Sequence, residues 1–402
     1  MERTYLKDSR IVELESNIKR NVHNALQSFW SSIEKSGAPL IEDIEGDSEN
    51  KLVTILFKEE KLLENVVIIP PVGMRKLENC VLEKIENSNV WYISYIVRKD
   101  ISFTYQFSIN DPLDNDWNRR WRNVKGDPLN SNGLMYIDKI SGNKRIVPYV
   151  SLEDAEPRIY IKDSIYERGT LHEHTIYSDI LQEDRKFSVY TPCGYDEKSQ
   201  PYGVLVLNDG FEYINLLQAL NVLDNLMGSR KIPKVVTVFI ESTKDRAENL
   251  KCNDDFTDFI GRELIPCVKE KYNISTNPQK NIVGGYSLGG LAASYAGLRL
   301  NDIFGNVLSQ SGSYWYKRDG YDNDDILWIN NLFNEKGELP LKFYINVGAI
   351  EPQISMKDTN ISFKNNLLSY GYDVKFEEFG SGHDHLYWGE TLANGLIYLI
   401  GI

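Results

Sequence analysis

Asn281-Ile282-Val283-Gly284-Gly285-Tyr286-Ser287-Leu288-Gly289-Gly290 runs from an apolar, strand-like entry into a G-x-S-x-G pattern. The helix-favouring run Leu291-Ala292-Ala293-Ser294-Tyr295-Ala296-Gly297-Leu298 follows it. A sharp turn from strand to helix forces its central residue into a strained conformation with the side chain exposed. Only small residues two positions away on either side let the backbone pass that closely. The helix after the turn aims its unpaired N–H groups and its dipole back at Ser287. A hydroxyl held there is placed to attack a carbonyl, and the Leu288 amide is placed to receive the developing oxyanion.

The chain of 402 residues is longer than one average domain, and two are expected, 1–155 and 156–402. Working back from the serine, strand-like runs alternate with helical ones from Thr170 onward. They include Phe187–Thr191, Val204–Leu207, Val235–Ile240, Ile282–Val283, Lys342–Val347 and Val374–Phe379, with a helix expected over Phe256–Tyr272. That alternation predicts an α/β domain with a largely parallel sheet, and a serine turn after its central strands predicts an α/β-hydrolase. The N-terminal part reads differently. Ile11, Leu14, Ile18, Val22, Leu26 and Phe29-Trp30 recur at helical spacing, with Phe29 and Trp30 assigned to core packing. Short β-rich runs follow, Leu52–Phe57, Val66–Ile69, Val90–Val97 and Phe103–Phe107, which predict a β-sandwich. A linker is expected between Asn132 and Arg168.

A serine nucleophile needs a base and a group that orients the base. Of the five histidines, His383 follows the last predicted strand in Gly380-Ser381-Gly382-His383-Asp384-His385, where a glycine-rich loop can fold back over the sheet. His383 is the expected base and His385 the fallback. The acid is expected after a strand between serine and histidine. Glu351, after Phe343–Val347, is the candidate; Asp358 and Asp373 are alternatives, and Asp384 is expected to point away from the base. A second oxyanion donor is sought in Asn208-Asp209-Gly210-Phe211, from Gly210 or Phe211. The H-x-H pair lacks an evident third ligand, so no metal site is assigned.

A net charge of −13 argues against a nucleic-acid or anionic-membrane partner, and no stretch is long and apolar enough to span a bilayer. Four scattered cysteines and an N-terminus without an apolar core lead us to expect a cytoplasmic protein. The segment Asp114–Arg122 brings Arg119, Arg120 and Arg122 beside Trp117 and Trp121. It reads either as a solvated loop or as a basic, aromatic rim for an anionic aromatic ligand.

The chain resembles the enterochelin (enterobactin) esterases, cytoplasmic trilactone siderophore hydrolases. In the N-terminal half the likeness lies in Phe29-Trp30, Gly37–Glu42, Val90-Trp91-Tyr92 and Asp127-Pro128-Leu129-Asn130. In the C-terminal half it lies in Tyr190-Thr191-Pro192, Gly194-Tyr195, Asp209-Gly210, Arg246–Leu250, Cys252-Asn253, Gly285–Gly290, Ser309–Trp315, Glu351-Pro352 and Gly382-His383-Asp384. One departure is Lys251, where an apolar residue or proline would be expected. The resemblance implies an immunoglobulin-like β-sandwich followed by the esterase domain, with Ser287 as nucleophile, His383 as base and Glu351 as acid. It implies a ferric catecholate trilactone as substrate, iron being cargo and no cofactor being needed. For that bulky trianion Arg119, Arg120, Arg122, Arg246, Trp117, Trp121, Trp315 and Trp388 are candidate contacts; Arg246 and Trp315 fall on loops near the expected site. The rival readings are a carbohydrate or feruloyl ester hydrolase and a catalytically silent siderophore-binding protein. The oligomeric state is left open.

Overall fold

The computed structural model describes residues 1–71, 76–139, 141–323 and 326–402, the side chain of Asn118 excepted. It divides into two compact units, Met1–Glu156 with Gly380–Leu386, and Pro157–Phe379 with Tyr387–Ile402.

The first unit opens with β1 (Glu2–Thr4), α1 (Ser9–Lys19) and α2 (Ala25–Ser36). Gly37, at φ +80°, ends α2, and Pro39 two residues on could not continue it. Then come β2 (Leu40–Ile44), β3 (Asp47–Lys58), β4 (Val66–Ile69), β5 (Glu83–Lys84) and β6 (Val90–Arg98). One antiparallel sheet has the order β1-β6-β3-β2, with β5 also on β6. The middle of β3 is buried, and Ile11, Leu14, Phe29, Trp30 and Ile33 of the two helices cluster with Leu56 of β3 and Tyr92 of β6. Phe29 and Trp30 are therefore core residues, as the periodicity predicts.

The run Phe103–Phe107 is divided. β7 (Ser102–Thr104) pairs with β10 (Lys144–Ser151), whereas β8 (Gln106–Ile109) pairs with β4. Tyr105 lies between them and donates its hydroxyl to buried Asp127 (2.6 Å). The stretch read as a linker holds β9 (Gly133–Ile137) and β10, a hairpin that extends β7. Trp117–Arg122 is a short helix, α3, because the Asp116 carboxylate accepts from the Arg119 amide (3.0 Å).

The second unit is built on eight strands: β11 (Thr170–Ser178), β12 (Glu183–Thr191), β13 (Gly203–Leu207), β14 (Val235–Ile240), β15 (Ile282–Tyr286), β16 (Asn306–Gln310), β17 (Lys342–Gly348) and β18 (Asp373–Phe379). Their order is β11-β12-β14-β13-β15-β16-β17-β18. β11 and β12 form an antiparallel hairpin on the edge, which puts His172 and His174 on a strand, and the other six strands are parallel. Residues of β13 to β16 are buried throughout, so both faces must be covered. The helices of the unit are α4 (Gly210–Asn215), α5 (Ala219–Gly228), α6 (Arg246–Leu250), α7 (Asp254–Phe259), α8 (Ile265–Lys271), α9 (Leu288–Arg299), α10 (Trp328–Lys336) and α11 (Thr359–Ser369); α12 (His385–Ile400) closes the chain. The helix expected over Phe256–Tyr272 is continuous from α7 to α8, and its start is set by the Asn253 side chain accepting from the Phe256 amide (2.9 Å). Strand order reverses between β13 and β15, the place where α/β sheets bind ligands beyond their C-terminal ends. The segments that follow β13, β15 and β17 carry Asp209-Gly210, Ser287 and Glu351.

Candidate active site

Ser287 sits between the end of β15 and the first residue of α9 with φ +56° and ψ −123°. That conformation is costly for any residue with a Cβ and persists only where its surroundings impose it. The Ser287 amide donates to Gln310 O (2.8 Å), and its carbonyl accepts from Gly290 (3.1 Å), Leu291 (3.2 Å) and Ser313 (3.0 Å). A Cβ on Gly285 would fall 2.5 Å from the Gly289 carbonyl oxygen, and one on Gly290 would fall 2.7 Å from Ser309 Oγ. Gly285, which opens the pattern, and Gly290, which follows it, are thus steric necessities of the turn. Ser287 Oγ lies 3.4 Å from the hydroxyl of buried Ser313. Leu288 heads α9, where an N–H has no acceptor within the helix.

Beyond the end of the neighbouring strand β13, Asp209 turns the chain with φ +59°, and Gly210 follows it. A side chain on Gly210 would meet the Phe239 backbone at 2.8 Å. The Asp209 carboxylate accepts from Arg246 Nε (2.6 Å) and Nη2 (2.7 Å) and from the Ser242 hydroxyl. Burial would lower the Arg246 pKa, but the Asp209 carboxylate outweighs it and holds the guanidinium's pKa above its ordinary value. Arg246, a candidate ligand contact, is thus paired with Asp209 while 31 % of its side chain stays exposed.

Glu351 is buried after β17. Its Oε1 accepts from the Gly348 amide (2.8 Å) and from the Ser311 hydroxyl. Ser311 in turn accepts from Trp388 Nε1 (3.1 Å), and the Trp388 ring stacks on Tyr286 at 4.4 Å. At 2 % exposure Trp388 is a buried support, which corrects its expected place on a rim.

His383 lies in Gly380–Leu386. Within the first unit the Gly380 carbonyl accepts from the Ser102 amide (2.8 Å), and Ser381 Oγ donates to the Ser102 carbonyl (2.7 Å). Asp384 accepts from the amide (3.2 Å) and hydroxyl (3.1 Å) of Thr104 and from the Leu386 amide (2.9 Å). Burial pushes its carboxyl pKa up, against those hydrogen bonds and the His383 charge.

Trp315 is half-exposed. Arg122 is exposed, Trp117 and Trp121 are partly buried, and Arg119 pairs with Asp114. Arg120 does not belong to a rim. It is buried, binds Asp111 through Nε (2.9 Å) and Nη2 (2.7 Å), and lies over the Trp117 ring (4.8 Å). Ser311, Ser313 and Asp209 escaped the sequence reading, although Ser309–Trp315 and Asp209-Gly210 carry part of the resemblance. Among the described residues no group of three or more His, Cys, Asp and Glu is arranged to hold a metal ion, and no helix is long and apolar enough to cross a membrane.

A parallel sheet in this order, with a strained serine between β15 and α9, is that of the α/β-hydrolase class. Residues 178–399 match the model of a family described as putative esterase, and the chain belongs to that family. The segment aligned with the iron(III) enterobactin esterase of Escherichia coli K12 is 32 % identical over 224 residues, 55 % of this chain and 55 % of that protein. The chain thus matches about half the length of that relative. The iron(III) enterobactin esterase of Dickeya dadantii aligns over 410 residues at 25 % identity, 93 % of each chain. The enterobactin esterase of Shigella flexneri, solved in the presence of enterobactin, superposes with a TM-score of 0.75 at 25 % identity, covering 92 % of this chain and 97 % of that one. The resemblance to the enterochelin esterases is borne out.

Proposed function

We propose that this chain is a serine esterase that hydrolyses the ester bonds of a catecholate trilactone siderophore, enterobactin- or bacillibactin-like, as its ferric complex, and so releases iron in the cytoplasm. The observation that carries the reading is the strained Ser287 elbow, in a chain that aligns along 93 % of its length with an iron(III) enterobactin esterase. The antiparallel sheets of the first unit support an immunoglobulin-like β-sandwich there. Iron arrives with the substrate, and no resident cofactor, nucleic acid or membrane is needed.

His383 takes the Ser287 proton as Oγ bonds to a lactone carbonyl carbon. The amides of Leu288 and of Gly210 or Phe211 hold the oxyanion. The carbon–oxygen bond of the ring then breaks, and the departing oxygen takes the proton from His383. Water, losing a proton to His383, attacks the acyl-enzyme; Oγ leaves with that proton, and carboxylic acid and alcohol result. Glu351 orients the base. Its Oε1 accepts from the Gly348 amide and the Ser311 hydroxyl, which hold the carboxylate in place.

The test is to offer ferric and iron-free enterobactin, bacillibactin and the linear trimer to the purified chain and follow products by mass. One added water per opened ester is expected. Ser287→Ala should lower the rate roughly 10⁴- to 10⁶-fold. A variant as fast as the wild type would remove Ser287 from the reaction. Tight binding without product would make the chain a siderophore-binding protein.

A further inference from the structure

We propose that Arg246 is a positioning residue for the oxyanion pocket, acting through Asp209, and that it does not recognise the substrate's charge. The inference rests on the serine-esterase reading and concerns how its oxyanion pocket is held in shape.

Three observations carry it. First, Asp209 is the residue whose left-handed backbone (φ +59°, ψ +48°) directs the chain from β13 into Gly210-Phe211. An aspartate tolerates that conformation better than most residues, but it still needs an anchor. Second, the anchor is complete: the Asp209 side chain is 0 % exposed, and its two oxygens are taken by the two prongs of the Arg246 fork, with Ser242 as a third donor. A planar guanidinium bound at two points fixes orientation as well as distance, which a lysine would not do. Third, the same carboxylate borders the serine elbow. A Cβ on Gly289 would lie 3.3 Å from Asp209 Oδ2, so the second glycine of G-x-S-x-G makes room for it. Arg246 also lies over the ring of Tyr286, the residue before the nucleophile, at 5.8 Å from its centroid.

Asp209 thus lies between the two proposed oxyanion walls, Gly210-Phe211 on one side and Leu288 on the other. Arg246, on α6, braces it from outside. The charge of Arg246 is neutralised by the Asp209 carboxylate and is not left over for a catecholate. An arginine that met the substrate would change binding of anionic substrates. An arginine that holds the oxyanion walls changes the chemical step for every ester, charged or neutral.

The experiment compares wild type, Arg246→Ala, Arg246→Lys and Asp209→Asn in the full chain. It measures kcat and KM on a neutral p-nitrophenyl ester and on ferric enterobactin, and the rate of Ser287 labelling by a fluorophosphonate. Arg246→Ala is expected to lower kcat on both substrates and the labelling rate by roughly 10- to 100-fold, since a displacement of about 1 Å can cost 100-fold, with KM changed less than about twofold. Added guanidinium should restore part of the loss in Arg246→Ala, Arg246→Lys should not, and Asp209→Asn should share the defect while keeping side-chain volume. Guanidinium rescue separates the effect from misfolding. A KM increase confined to the ferric substrate with kcat and labelling intact would overturn the proposal, as would unchanged kinetics in all three variants. Wild-type enzyme that cleaves the neutral ester and not the trilactone would instead refute the siderophore reading, and the clamp would still be judged on the neutral ester.

Discussion

At the scale of single residues, the chain Trp388–Ser311–Glu351 decides how firmly the proposed acid is held. Ser311 is 0 % exposed, accepts from the indole of Trp388 and donates to Glu351 Oε1. Removing its hydroxyl takes one donor from a buried carboxylate and strands a buried N–H, a desolvation cost of about 1–3 kcal/mol. Ser311→Ala should therefore lower thermal stability and reduce kcat roughly tenfold with KM little changed; thermal unfolding and steady-state kinetics measure the two effects. Full activity would show that Glu351 keeps its place without the Ser311 hydroxyl. Sequence reading could find Glu351, because an acid after a strand between serine and histidine is a topological expectation. It could not find Ser311, whose side chain meets Glu351 across 40 positions of chain only once β16 and β17 lie side by side. Arg120 and Trp388 failed as rim residues for a related reason. Arginine and tryptophan are used both at ligands and as buried partners, and the sequence does not carry the burial that separates the two uses.

At the scale of elements, helix α5 is joined to strand β12 by a buried carboxyl. Asp224 accepts from the Tyr190 hydroxyl (2.7 Å) and the Gly169 amide (3.2 Å). Burial raises its pKa, and those two hydrogen bonds only partly offset the rise. A carboxyl whose folded pKa exceeds its unfolded value of about 4 binds more protons folded than unfolded. Its contribution favours folding below that unfolded value and is lost as pH rises through the folded one. Asp224→Asn keeps the acceptor oxygen and removes the ionisation. Measured by urea unfolding between pH 4 and pH 7, the variant should gain stability relative to wild type as pH rises; a constant difference would mean that Asp224 ionises as readily folded as unfolded. The elements themselves were largely legible. Runs of Val, Ile and Leu marked β13, β14 and β17, and the glycine spacing marked the turn at Ser287. The hairpins β9–β10 and β11–β12 were harder to read, since β9 is only five residues long, His and Glu interrupt β11, and the partner strand supplies the pairing. The break between β7 and β8 at Tyr105 is likewise a tertiary outcome, set by which neighbour each half pairs with.

For the whole molecule the governing quantity is a net charge of −13. The arginines that read as an anion-binding rim are in good part neutralised: Arg119 pairs with Asp114, Arg120 with Asp111 and Arg246 with Asp209. With those cations engaged in an acidic chain, an approaching ferric tris-catecholate trianion is expected to meet a repulsive long-range field. Salt shortens the reach of such a field from about 30 Å at 0.01 M to about 10 Å at 0.1 M. If the siderophore reading is right, kcat/KM for the ferric substrate should rise roughly two- to tenfold between 10 and 200 mM salt. The iron-free trilactone, largely uncharged at neutral pH, should change little and serves as the control for effects of salt on the protein. Stopped-flow hydrolysis at graded ionic strength makes the comparison. A rate that falls with salt for the ferric complex alone would mean that a local cationic surface, built from residues other than these three arginines, overcomes the field of the whole protein.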